Sequence, residues 1–251
     1  NGPLLVMINR LSASASEIFS GAVQDYGRGI IVGERSFGKG TVQTLIPLSS
    51  GQLKITESKF YRISGASTQN RGVIPDVAFP SVYNSEDIGE SALDYALEWD
   101  QISPVRHRIY GDFSEIIPYI NSRSVERRKI DPDFASLRER IVFSNQNRAN
   151  TEVSLNEVDR KVRRLERETR ALEIENNRRH KKGLEKIADI NQLDQDEENT
   201  NNTLDDDTSV DFFLQEAGNI LADLIKFSSN KVEQSTSPEL ALKNSLTLQN
   251  P

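Results

Sequence analysis

Two short stretches carry side chains that can do covalent chemistry: Ser12 to Glu17, reading Ser-Ala-Ser-Ala-Ser-Glu, and Phe37 to Gln43, reading Phe-Gly-Lys-Gly-Thr-Val-Gln. The first places a serine where an apolar run stops and a helical pattern begins. The second places Lys39 between two glycines, just ahead of an alternating, strand-like run. A serine hydroxyl needs a base before it can attack a carbonyl. Neutral lysine can serve if burial lowers its pKa from about 10.4 toward neutrality. A drop of about 3 units costs on the order of 4 kcal/mol. Gly38 and Gly40 would let backbone pack closely around the amine. Gln43 shares a strand face with Lys39 and Thr41 if the strand starts that early, and from there it could orient the amine. The only histidines, His107 and His180, stand far outside this unit in charged, helix-like surroundings and read as surface residues.

Each of these residues also has a plainer reading. Ser14-Ala15-Ser16-Glu17 fits a capping box, with Ser14 as N-cap and Glu17 at the third helical position. Capping and nucleophilic attack are compatible roles for one serine. Lys39 could be a surface loop lysine. Gly33 to Lys39 also matches the spacing of a phosphate-binding loop. That motif needs a hydroxyl directly after the lysine and a helix beyond it. Here Gly40 follows, and Thr41 to Ile46 alternates like a strand.

The elements that must hold these groups follow from periodicity. Leu4 to Ile8 is a continuous apolar run, the mark of a strand buried on both faces. Ile18, Phe19, Ala22, Val23 and Tyr26 recur at helical spacing and predict one apolar stripe, ended by Gly27 and Gly29. Ile30 to Val32 is a second buried strand. This is a βαβ order, and a serine at its first turn sits at a helix N-terminus, where N–H groups favour developing negative charge. The stretch Thr41 to Ile63 holds two alternating runs around Ser49-Ser50-Gly51, a hairpin. Lys54, Lys59 and Arg62 read as a solvated strand face, and Thr68 and Gln69 as loop residues.

Asn9 to Phe19, Gln24 to Gly27, Val32-Gly33-Glu34 and Phe37 to Gln43 closely resemble the tail-specific, or C-terminal processing, peptidases. The resemblance implies a serine endopeptidase with a Ser-Lys dyad on a crotonase/ClpP-like α/β protease core, present here in part and followed by a mostly α-helical C-terminal region. Matched motif to motif, the nucleophile falls on Ser14, the lysine base on Lys39, the orienting glutamine on Gln43 and an acidic position on Asp25. The backbone N–H of Ala15 matches one oxyanion donor; the second belongs to a glycine upstream. Later motifs continue the likeness: Gly51 to Arg62, Gly65 to Gln69, Gly72 to Asp76, and Gly89 to Asp94 with Trp99-Asp100. The implied partners are polypeptides with apolar C-termini and an adaptor lipoprotein, in the periplasm, with no cofactor. Two rival readings remain open: a catalytically incomplete scaffold, and a crotonase-like acyl-transfer enzyme.

Composition bounds the rest. The chain has 251 residues, 36% hydrophobic and 27% charged, which allows one modest core with extensions. A net charge of −7 argues against nucleic acid as partner. No cysteine and two histidines leave no thiolate or zinc site. No apolar run approaches the ~18 residues of a membrane span. The chain opens on Asn1-Gly2-Pro3 and leads straight into a buried-strand pattern, so an upstream half is expected. The resemblance implies that residues 1–85 are part of the protease core, and the helical pattern from Glu86 onward predicts a helical domain over 86–190. Within it Ile88, Ala92, Leu93, Ala96 and Leu97 make one stripe, with Trp99 as a core anchor. Helices follow near 112–128 and 133–149, the second capped by Asp133. Residues 151–182 form a long charged helix whose Leu155, Val158, Val162, Leu165, Thr169 and Leu172 step as a heptad seam, expected to pack on the body. A dimeric coiled coil is the alternative. Its basic end, Arg178 to Lys182, reads as solvated. Residues 191–209 are an acidic linker, 210–228 an apolar helix that must dock on something, and 229–251 a polar tail.

Overall fold

The computed structural model describes residues 2–84, 86–189 and 211–235. The acidic linker and most of the polar tail therefore lie outside the described residues. Strand β1 (Leu5–Ile8), helix α1 (Ala15–Asp25) and strand β2 (Ile30–Gly33) form the expected βαβ unit, with β1 and β2 parallel and Val6 opposite Ile31. A short strand β5 (Val77–Ala78) adds in parallel on the other side of β2, giving the order β1-β2-β5. Strands β3 (Thr41–Pro47) and β4 (Gln52–Lys59) are the predicted antiparallel hairpin and form a separate two-stranded sheet.

Only β2 is buried along its whole length. β1 lies at the sheet edge and is only half-buried, contrary to its apolar composition; Met7 stays 38% exposed. The sheet has two covered faces. Ile31 and Ile8 meet Val23 of α1 and Val73 on one side. On the other, Ile30, Val32, Val77 and Phe79 meet helix α2 (Ile116–Ile130) and helix α5 (Phe212–Ser235) through Ile116, Ile120, Ala217, Ile220 and Leu224. The apolar helix expected at 210–228 thus docks on the body itself, and it runs seven residues into the predicted tail.

The α1 stripe is the clearest departure from periodicity. Ile18 and Phe19 are exposed, and the buried face carries Glu17, Ser20, Gly21 and Val23. A buried carboxylate with enough donors around it turns this helix away from its apolar side. At its C-terminus α1 closes in a Schellman motif. Arg28 N–H bonds to Val23 O at 2.9 Å and Gly27 N–H to Gln24 O at 3.0 Å, with Gly27 at φ 58°.

Residues 86–97 do not form a helix; they hold one 3₁₀ turn, Glu90–Ala92, and leave Leu93 and Leu97 exposed. His107 lies in a segment without helix, its ring against the Asp25 carbonyl. Trp99 is half-buried, donates Nε1–H to Ser67 O at 2.9 Å and carries the Arg71 guanidinium 3.5 Å over its ring. Helix α3 (Pro132–Ala149) is capped by Asp131, with Pro132 at its first position. Asp133 instead meets Arg178 and Lys182, both at 2.7 Å. The basic end of helix α4 (Glu157–Lys181) is therefore tied down, not solvated. Lys59 and Arg62 are likewise paired, with Asp100 and Asp25. The first half of α4 does not pack on the body: Val158 is 67% and Leu165 64% exposed.

Candidate functional site

Ser14 stands at the turn from β1 into α1. Its backbone, at φ 56° and ψ −112°, occupies a region that L-residues rarely adopt. A strained strand-to-helix turn of this kind lifts a side chain clear of the sheet at the N-terminus of the helix. The predicted capping box forms unequally. Its two halves lie in contact, but the full bond runs from the Ser14 N–H to Glu17 Oε2 at 2.9 Å. The Glu17 N–H bonds to the Ser14 carbonyl at 2.9 Å. Among the described residues no hydrogen bond uses the Ala15 N–H. It is a first-turn helix donor, of the kind that can meet an anion.

Glu17 is fully buried and gathers the site around it. Oε1 accepts the Ser36 hydroxyl at 2.5 Å and the Gly38 N–H at 2.7 Å. Oε2 accepts the Ser14 N–H and the Lys39 N–H, both at 2.9 Å. Two such bonds to one oxygen keep the Ser14 and Lys39 amide nitrogens within about 6 Å of each other. Ser36 Oγ itself accepts the Val73 N–H at 2.6 Å, so its proton points at Glu17. Burial pushes the Glu17 carboxyl above its ordinary value, against the pull of these four donors. The sequence showed Glu17 only as a cap partner. That a carboxyl at this position is wholly buried, and draws four donors from two segments, is a tertiary fact.

Lys39 is half-buried, and its Nζ donates to Thr41 O at 3.0 Å. Its neighbours are tightly packed by backbone, as the two glycines suggested, and the packing segment is 69–70. A Cβ at Gly40 would come within 2.6 Å of the Gln69 nitrogen, and one at Gly38 within 2.9 Å of the Asn70 carbonyl carbon. Gly38 also sits at φ 96°. Thr68 and Gln69 are buried in the body instead of lying on an open loop.

Among the described residues no hydrogen bond joins Gln43 or Asp25 to Ser14 or Lys39. Strand β3 begins at Thr41, after Lys39, and a register shift between Val42 and Gln43 resets the alternation. Gln43 is exposed, and no hydrogen bond joins it to the Lys39 amine among the described residues. Asp25 lies eleven positions along α1 from Ser14, about 16 Å by helical rise. It is held by Arg62 Nε at 3.0 Å and by Arg62 Nη2, and it accepts the Ser64 hydroxyl at 3.0 Å. That cluster fastens the far end of α1 to the segment after the hairpin.

A cavity of about 360 Å³ opens at the carboxyl ends of β1 and β2. Met7, Phe79, Leu137 and Phe213 give it apolar walls, and Asn9 and Ser12 bring it to the Ser14 turn. Crevices at strand carboxyl ends are the usual ligand sites of parallel sheets. No group of three or more potential metal ligands occurs among the described residues, and no helix among them is long and apolar enough to cross a membrane.

Residues 1–79 match the model of peptidase family S41, and residues 83–226 match that of the C-terminal domain of tail specific protease, DUF3340. The tail-specific protease of Haemophilus influenzae is 38% identical over 242 residues, covering 92% of this chain and 33% of that protein. The carboxy-terminal-processing protease of Bartonella bacilliformis is 48% identical over 98 residues, covering 36% of this chain and 23% of that one. Among solved structures, a photosystem II D1 C-terminal processing protease is 45% identical over 31% of this chain and 20% of its own, with a TM-score of 0.28. The chain spans about a third of the length of the Haemophilus relative and about a quarter of the Bartonella one.

Proposed function

The chain belongs to the tail-specific proteases of peptidase family S41, and from that premise we propose that it carries the reacting groups of a serine endopeptidase that cuts proteins near their C-termini. In this reading Ser14 Oγ attacks the scissile carbonyl. Lys39 Nζ takes the hydroxyl proton and returns it to the leaving amine. The Ala15 N–H, at the start of α1, stabilises the oxyanion. The acyl group on Ser14 then leaves by attack of water, activated by the same amine. The observation that carries this reading is the single Glu17 oxygen that holds the Ser14 and Lys39 amides together.

The proposal extends to the surroundings. The three parallel strands with α1 are read as part of a crotonase-like core. The cavity beside Ser12, with its apolar walls, is read as the place for an apolar substrate side chain, in keeping with substrates that end in apolar residues. The relatives' names supply the C-terminal specificity. A periplasmic location and an adaptor lipoprotein complete the proposal. Gln43, on β3 four residues after Lys39, is kept as the orienting residue for the amine. Asp25 is offered as a positioning residue, through Arg62 at the end of α1.

The test is cleavage of an unfolded protein with an apolar C-terminus, read by mass spectrometry, using the protein at its full natural length. The wild type is expected to cut. Ser14→Ala and Lys39→Ala are each expected to lower the rate by about 10⁴-fold or more with the fold intact. Normal cutting by Lys39→Ala would move the base elsewhere. No cutting by the wild type would favour a catalytically incomplete scaffold.

A further inference from the structure

The Lys39 loop is held on a second side, by groups outside the nucleophile turn. Gly40 N–H donates to Gln69 Oε1 at 2.9 Å, and Gln69 Nε2 donates to Glu90 Oε1 at 3.0 Å. Gln69 is fully buried and Glu90 is 8% exposed. Around this relay, Asn70 N–H donates to Gly38 O at 2.8 Å, and Glu90 N–H donates to Phe37 O at 3.0 Å. Buried Arg10 spans the same junction, donating to Ser36 O at 2.7 Å and to Ile88 O at 2.6 Å. The segment 88–90 lies near the start of the stretch 83–226 that matches the tail-specific C-terminal domain, so that region is bonded directly onto the loop bearing Lys39.

We infer that Gln69 and Glu90 are positioning residues for Lys39, through which the C-terminal helical region sets where the base stands relative to Ser14. The chemistry of the relay makes it directional. Glu90 Oε1 accepts from the Gln69 amide nitrogen, and that leaves the Gln69 oxygen turned to the Gly40 N–H. With Glu17 on one side and Gln69 on the other, the peptide groups before and after Lys39 are each fixed by a buried side chain. A misplacement near 1 Å in such a group costs on the order of 10²-fold in rate. The inference rests on Lys39 acting as the base.

The pair admits a reciprocal swap. Gln69→Glu alone sets two carboxylates against each other in a buried site. Gln69→Glu with Glu90→Gln restores both bonds: the new carboxylate at position 69 accepts from Gly40 and from the new amide at position 90. The experiment measures kcat and KM for peptide cleavage by the full-length protein, and separately the rate at which acetic anhydride acetylates Lys39, read by mass spectrometry. Gln69→Glu is expected to lower kcat by about tenfold or more with KM within about twofold, and to change the acetylation rate. The double variant is expected to return both toward wild type. The inference is overturned if Gln69→Glu keeps wild-type kcat, or if the double variant regains thermal stability but neither kcat nor the Lys39 rate. If Gln69→Glu does not fold, the double variant alone decides. Full activity in Lys39→Ala would overturn the dyad itself, a different result from these.

Discussion

A fully buried carboxylate that accepts four hydrogen bonds is expensive to remove, because each donor it leaves behind stays desolvated. Glu17→Ala should therefore lose about 4 kcal/mol or more of stability, at ~1 to 3 kcal/mol for each of the orphaned donors. It should also lose cleavage, since the Ser14 and Lys39 segments no longer share an acceptor. Urea denaturation and peptide cleavage on one preparation would check both; a variant with wild-type stability would contradict the role of Glu17 as the common anchor. Asp133 makes a pH-dependent claim. Burial pushes its carboxyl up, but the bonds from Lys182 and Arg178 outweigh that and hold it below the usual range. A carboxyl lowered in the fold stabilises above its unfolded pKa and loses that contribution as pH falls through its folded value. The stability difference between wild type and Asp133→Asn should accordingly shrink as pH falls through and below the ordinary carboxylate range. A difference that does not change with pH would remove the ion pairs from the account.

Among the elements, α1 depends on its ends more than on its apolar stripe. The Schellman closure puts Gly27 where a Cβ would stand 2.2 Å from the Gly111 carbonyl oxygen. Gly27→Ala should cost well over the ~1 to 2 kcal/mol of a left-handed L-residue alone. Chemical denaturation reads it directly, and a loss under about 1 kcal/mol would mean that the 109–111 segment moves aside. The exposed seam of α4 gives the opposite expectation. Val158→Lys with Leu165→Lys should change the folding free energy by less than about 0.5 kcal/mol, because neither side chain is covered. A larger loss would show that the seam is packed in solution.

The whole molecule is closed by α5. Its Glu216 and Asp223 are buried against Arg127, which donates to both, at 2.8 Å and 2.7 Å. Arg123 reaches Asp223 as well, at 3.1 Å. Removing one partner of a buried ion pair leaves an uncompensated charge and costs about 3 to 5 kcal/mol. Arg127→Met should thus loosen α5 from the sheet. Hydrogen exchange would rise first in α5 and in β1, which share the core face with α2. Uniform protection would instead show that apolar contact alone keeps the helix docked.

Local sequence was enough for the βαβ unit, the hairpin, α2, α3 and most of α4, because each rests on short-range periodicity and turn chemistry. Motif likeness was enough to point to the family, and it is also what nominates Ser14 and Lys39 as the proposed reacting pair. What it could not supply was contact between distant segments. The heptad spacing of α4 says that one face is apolar, not whether anything covers it. The stripe on α1 lost to a buried carboxylate whose donors come from residues 14, 36, 38 and 39. The pairing of Asp25 with Arg62, and the relay from Gly40 through Gln69 to Glu90, join residues 37, 29 and 21 positions apart. Desolvation at such sites depends on what folds against them, so only the tertiary structure decides which polar residues form the scaffold of the site and which face water.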